Sequence, residues 1–164
     1  MVEEGADIID IGAESTRPGS TVVSEEDELA RLQSVFPTLR KEFPEVCFSI
    51  DTYKPTVAEY MIKEGIDALN DVNGVKGSNM AEVAAKYNIP IFVMHNGGVE
   101  EGHEIEQVVH ELSESVDICL KAGVKKENII LDPGMGFGKT AEANLEITRK
   151  LDQLNTLGCE ILYA

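Results

Sequence analysis

Six short apolar runs recur along the 164 residues of this chain, the first five each followed by a longer amphipathic segment, and few folds accept that rhythm. The runs cover Asp7 to Gly12, Val46 to Asp51, Ala68 to Val72, Pro90 to His95, Ile129 to Asp132 and Cys159 to Tyr163. Their length suits buried strands, and the segments between them repeat apolar residues at helical spacing, so strand and helix alternate as in the parallel α/β class. Ser24, with Asp27 three residues on, caps a predicted helix bearing Leu29, Leu32, Phe36 and Leu39 that ends before Pro44. Pro55 opens a second with Val57, Met61 and Ile62 inward and Gly65 as terminator, and Asn79 with Glu82 opens a third through Val83 to Tyr87. A fourth runs from about Glu104 to Ala122 with Val108, Val109, Leu112, Val116 and Leu120 inward, and Thr140 caps a fifth with Leu145, Ile147 and Leu151 facing in.

Periodicity alone fits both a (β/α) barrel and an open doubly wound sheet. The polar residues separate them: Asp51, Asn70, His95 and Asp132 each close an otherwise apolar strand, as barrel active-site residues do, whereas an open sheet gathers such residues at one switch point. A single Asp or Asn at a strand end often only starts a turn or caps a helix, but four at equivalent positions point to a shared mouth. There they offer two carboxylates and a carboxamide to a flat heterocycle whose edge alternates donors and acceptors. Asp132, under the loop Gly134-Met135-Gly136-Phe137-Gly138, is placed to accept two parallel hydrogen bonds from an amidine-like edge. Asn70 both donates and accepts, and Phe137 supplies an aromatic face or packs between loop and helix. His95 has no second ligand at metal spacing near it, which favours a structural role.

The segment Gly12-Ala13-Glu14-Ser15-Thr16-Arg17-Pro18-Gly19-Ser20 follows the first strand with the hydroxyls of Ser15 and Thr16 beside a guanidinium and a Pro-Gly turn, a set suited to holding an anion. The later Gly138-Lys139-Thr140 invites comparison with a phosphate-binding P-loop, but Pro133 stands where that motif needs glycine.

Thirty acidic against fourteen basic side chains give a net charge of -16, which disfavours nucleic acid and anionic membranes as partners. No apolar run is long enough for a transmembrane helix and the first residues are acidic, so a cytoplasmic protein is expected. Cys47, Cys119 and Cys159 are odd in number and widely spaced, which suits free thiols.

Taken in order, Ser15-Thr16-Arg17-Pro18-Gly19-Ser20, Ser49-Ile50-Asp51-Thr52 with Lys54-Pro55, Leu69-Asn70-Asp71-Val72, Met94-His95 and Leu131-Asp132-Pro133-Gly134-Met135-Gly136-Phe137-Gly138-Lys139-Thr140 resemble the motifs of the dihydropteroate synthase family across nearly the whole chain. The resemblance implies a TIM barrel that condenses 6-hydroxymethyl-7,8-dihydropterin diphosphate with 4-aminobenzoate, releases diphosphate with Mg²⁺ bound, and is the target of sulfonamides. By motif match Asp51, Asn70 and Asp132 would bind the pterin, with Met94 along its pocket. Thr16, Arg17 and Pro18 would close on the diphosphate and aminobenzoate, Phe137 would border the aminobenzoate, and Arg17 and Asp51 would carry the catalysis. The family is usually homodimeric.

Several family elements are not found in these residues: the first strand with its Asn-containing loop, whose Asn would contact the metal, a Ser-Arg-Lys run and an Arg-x-His run. Met1 to Glu4 reads as the tail of a helix ended by Gly5. The expectation is therefore a pterin-binding domain over residues 1–164 holding about barrel strands two to seven, six of eight, with no metal ligand of its own. Such a piece would be inactive alone and poorly soluble, because open strand edges invite association. Rival readings are a pterin-dependent methyltransferase of the same superfamily, which has no diphosphate to release, and a non-catalytic pterin-binding paralogue acting as a partner.

Overall fold

The computed structural model describes residues 1–15 and 19–164. Its strands are β1 (Ile8–Gly12), β2 (Cys47–Asp51), β3 (Ala68–Asp71), β4 (Ile91–Met94), β5 (Ile129–Asp132) and β6 (Glu160–Ile161). The helices are α1 (Glu25–Glu42), α2 (Pro55–Glu64), α3 (Met80–Tyr87), α4 (Glu104–Ala122) and α5 (Ala141–Arg149), with 3-10 turns at Val2–Glu4, Lys126–Asn128 and Leu151–Leu157. All neighbouring strands are parallel and their order in space is their order in the chain. A doubly wound sheet must reverse its order at the switch point, so the unreversed sequence identifies the wall of a barrel. Among the described residues β1 and β6 do not pair with each other, and the wall stays open.

Local chemistry explains where the helices start and stop. Ser24 Oγ accepts the Asp27 N–H at 3.1 Å, and α1 carries four acidic residues in its first turn and Arg40 and Lys41 in its last, matching the helix dipole at both ends. Pro55 sits at the first position of α2, where its missing N–H costs nothing, and Gly65 ends that helix in the left-handed region. Thr140 Oγ1 accepts the Ala143 N–H at the start of α5. Asn79 precedes α3 as expected, but its side chain makes no capping bond.

Alternate strand residues divide the sheet into two chemistries. Phe48, Ile50, Leu69, Ile91, Val93, Ile129 and Leu131 turn toward the helices and form the core with Leu32, Phe36, Met61, Met80, Ile105, Leu112 and Ile147. Each such side chain contributes about 1.5–3 kcal/mol through burial. The helices pack in sequence, α1 on α2 through α4 on α5, covering that face. Two inward assignments are corrected: Leu120 and Leu145 are 43% and 57% exposed, while Cys119 and Ala143 occupy the buried stripe. In both helices a small residue one or two positions earlier lies on the packed arc, and the bulkier leucine rotates out. Cys119 is buried and Cys47 and Cys159 are half-buried, all three as free thiols. No helix among the described residues is long and apolar enough to cross a membrane.

Candidate active site

The strand positions that do not face the helices form rows across the sheet. One row runs Gly12, Asp51, Asn70, Phe92, Ile130 and Glu160 in direct register, and Met94 pairs with Asp132 one layer nearer the C-terminal ends. Asp51, Asn70 and Asp132, three of the four residues expected to meet at a shared mouth, thus lie on one face in two adjacent layers, with Met94, expected along the pocket, beside Asp132. His95 does not join them. It follows β4, is 3% exposed, and lies 3.4 Å from Glu111 of α4, on the helix side of the sheet, in keeping with a structural role.

Asp51 is the most electrostatically stressed of the set. Its Oδ1 is buried with no hydrogen-bond partner among the described residues. Burial first, and then the charges of Asp10, Glu28, Asp71 and Glu14, push its carboxyl up to about 7. Asp71, at the end of β3, is pushed up to about 6 by burial although it accepts the N–H groups of Asn73 and Val75. It faces away from the row and serves the turn.

These shifts set a pH dependence. Unfolded, the Asp51 carboxyl titrates near 3.8; folded, near 7. Between those values the folded chain keeps a proton that the unfolded chain has lost, so the contribution to stability falls as pH rises through the window and the cost is complete above it. Asp51→Asn is therefore expected to match the wild type near pH 4 and to exceed it by on the order of 2–4 kcal/mol at pH 8. Urea titrations of both proteins at several pH values measure this, and a difference that does not grow with pH would show an unstrained carboxylate.

Asp132 is held by the loop that follows it. Its Oδ1 accepts the Gly134 N–H at 2.7 Å, and burial raises its carboxyl despite that bond and the nearby charge of Lys139. Lys139 Nζ donates to the Gly134 carbonyl at 2.7 Å and to those of His95 and Phe137 at 3.3 Å, gathering the loop into a ring. Its donors are spent on backbone carbonyls, a further departure from a P-loop. Burial lowers Lys139 to about 8. Phe137 is half-buried and outside the apolar core.

Sequence reasoning passed over two groups beside these. Asp10 lies in the strand run Ile8 to Gly12, yet it accepts Ser49 Oγ and Asn70 Nδ2; the signal was a charge at an alternate strand position. Lys54 is 7% exposed and donates to Glu14, Glu28 and the Val23 carbonyl, joining the two ends of the β1–α1 connection to the start of α2. Burial opposes its charge, but the hydrogen bonds to Glu14 and Glu28 prevail and raise the ammonium above its ordinary value. Thr16, Arg17 and Pro18, expected to close over the anionic end of the ligand, lie outside the described residues.

Known proteins share the fold and much of the sequence. The family model described as pterin binding enzyme matches residues 1–164. A dihydropteroate synthase of Clostridium beijerinckii is 48% identical over 99% of this chain and 61% of its own length. The crystal structure of the Clostridium difficile dihydropteroate synthase in the presence of pteroic acid superposes with a TM-score of 0.92 at 44% identity, over 99% of this chain and 62% of that one. The Anaplasma phagocytophilum synthase with bound 6-hydroxymethylpterin-monophosphate gives 0.91 at 34% identity, over 99% and 66%. The chain spans about three fifths of the length of the curated relative it matches. With its strand-end carboxylates on one face of the sheet and a family model matched from its first residue to its last, the chain belongs to the pterin binding enzyme family.

Proposed function

We propose that this chain forms the pterin-binding part of a dihydropteroate synthase, a transferase of folate biosynthesis that joins 6-hydroxymethyl-7,8-dihydropterin diphosphate to 4-aminobenzoate and releases diphosphate. The observation that carries this reading is the row in which Asp51 and Asn70 are register partners, one layer from the Asp132 and Met94 pair. Two carboxyls and a carboxamide on adjacent strands suit the alternating edge of a pterin, and Met94, 4% exposed, lines the same face with an apolar side chain.

In this reaction the pterin loses diphosphate to leave a cationic ring, which the aromatic amine attacks. The chain needs no nucleophile; it must orient the ring and stabilise the developing positive charge. Asp132, fixed by the Gly134 N–H, accepts from the amidine-like edge. Asp51, with a free buried oxygen and a carboxyl near neutrality, ionises against the bound ring and places negative charge beside the developing cation. Thr16, Arg17 and Pro18 engage the diphosphate and Phe137 borders the aminobenzoate, on the strength of their motifs. Among the described residues no three His, Cys, Asp or Glu side chains are grouped to hold a metal ion. This reading has Mg²⁺ bind with the diphosphate, where it would offset the charge of the leaving group. The same reading makes the intact protein a cytoplasmic homodimer and a sulfonamide target.

Titration with 6-hydroxymethylpterin tests the assignment. Asp132→Ala removes two charge-assisted hydrogen bonds and is expected to weaken binding by about a hundredfold or more while leaving the fold intact. Equal affinity of Asp132→Ala and wild type would sink the proposal.

A further inference from the structure

A carboxamide has two orientations of nearly equal shape and opposite chemistry, so what Asn70 asks of a ligand depends on which way its amide is turned. In this site one orientation is imposed. Asn70 Nδ2 donates to Asp10 Oδ2 at 2.9 Å, and no described residue donates to the side-chain oxygen, Asn70 Oδ1. An ionised carboxylate only accepts, so a flipped amide would set two oxygens against each other at that separation. Asp10 is pinned in turn: its other oxygen accepts the hydroxyl of Ser49, which is 2% exposed on β2. The relay crosses three neighbouring strands, from Ser49 on β2 to Asp10 on β1 to Asn70 on β3.

We infer that Asp10 is a positioning residue for ligand selection: by receiving Asn70 Nδ2 it keeps Asn70 Oδ1 free as an acceptor, so that the site favours a ring edge presenting an N–H donor at Asn70. The identity of the ring rests on the pterin reading above; the orientation of the amide does not. Asp10 acts through Asn70, and its replacement by asparagine preserves shape while leaving the two amides free to pair either way round.

Two measurements on the whole chain separate the possibilities. In nitrogen-15 NMR spectra the Asn70 side-chain amide is expected to show the downfield proton shift of a bond to carboxylate in the wild type, to lose it in Asp10→Asn, and to lose part of it in Ser49→Ala. Titration with 6-hydroxymethylpterin is expected to give about tenfold weaker binding for Asp10→Asn, and no further loss when Asp10→Asn is added to Asn70→Ala, because the first residue works through the second. Fully additive losses, or an Asn70 amide signal indifferent to Asp10→Asn, would overturn the inference. If the wild type binds no pterin, it is the pterin reading that falls, and the amide signal still decides the role of Asp10.

Discussion

Lys54→Met is expected to cost the chain about 3–5 kcal/mol of folding stability, among the largest losses available to a single side chain in this fold. The ammonium is 7% exposed and its donors go to Glu14, Glu28 and the Val23 carbonyl. Glu28 is 1% exposed and its Oε1 has no partner among the described residues, so Lys54 is its principal compensation. Methionine fills similar space but removes the Lys54 donor from two carboxylates and a carbonyl in a poorly solvated site, leaving Glu14 the Tyr53 hydroxyl alone. The penalty comes from those abandoned charges, since a buried pair contributes little net stability while half of one is costly. Lys54→Met combined with Glu14→Gln and Glu28→Gln should therefore recover much of the loss, and urea unfolding of the single and triple variants tests the sign of that difference. A single variant within about 1 kcal/mol of wild type would mean that the cluster behaves as a solvated surface pair. The cluster also ties Glu14 and Val23, which flank the connection carrying Thr16, Arg17 and Pro18, to the first turn of α2. The same substitution should therefore raise amide exchange at both residues.

The strand and helix content was legible because each element satisfies a local rule: Ser24 and Thr140 cap, Pro55 starts a helix, Gly65 and Gly123 stop one, and the strands are short, largely apolar runs. Asp51, Asn70 and Asp132 were legible for a related reason, since a polar residue at the end of an apolar run is visible without knowing its neighbours. What lay beyond the sequence was register and partnership. That Asp51 sits beside Asn70, and Met94 beside Asp132, depends on strand pairing across intervals that no local pattern encodes. Asp10 and Lys54 act through partners 60 and 40 positions away, on Asn70 and Glu14, and so looked like ordinary charges. Leu120 and Leu145 were misplaced because helical spacing gives a stripe but not its phase; packing put Cys119 and Ala143 on the buried side. The choice between barrel and open sheet likewise became definite only with the spatial order of the strands.

Gly134→Ala is expected to lose about 3–5 kcal/mol and to loosen pterin binding, whereas Gly136→Ala, two residues on, should lose only about 1–2 kcal/mol. Both glycines hold left-handed conformations, with φ of 65° and 79°, so both substitutions meet the same backbone cost. Only Gly134 adds a collision. A Cβ there would overlap the His95 carbonyl oxygen and approach Met94 Cγ to 3.0 Å, while a Cβ on Gly136 meets nothing within 4 Å. The closeness at Gly134 is a product of the sheet: β4 and β5 pair through Met94 and Asp132, the His95 N–H continues the ladder to the Asp132 carbonyl, and the loop then folds back across the end of β4. Lys139 binds the His95 and Gly134 carbonyls together and makes that crossing tight. An alanine must lift the loop, which opens the Lys139 ring and withdraws the N–H that fixes Asp132 Oδ1, so stability and ligand affinity fall together. Urea midpoints and 6-hydroxymethylpterin titrations of the two variants measure the contrast. Equal losses for both would mean that the backbone angle alone matters at this turn, and that the loop does not press on the end of β4.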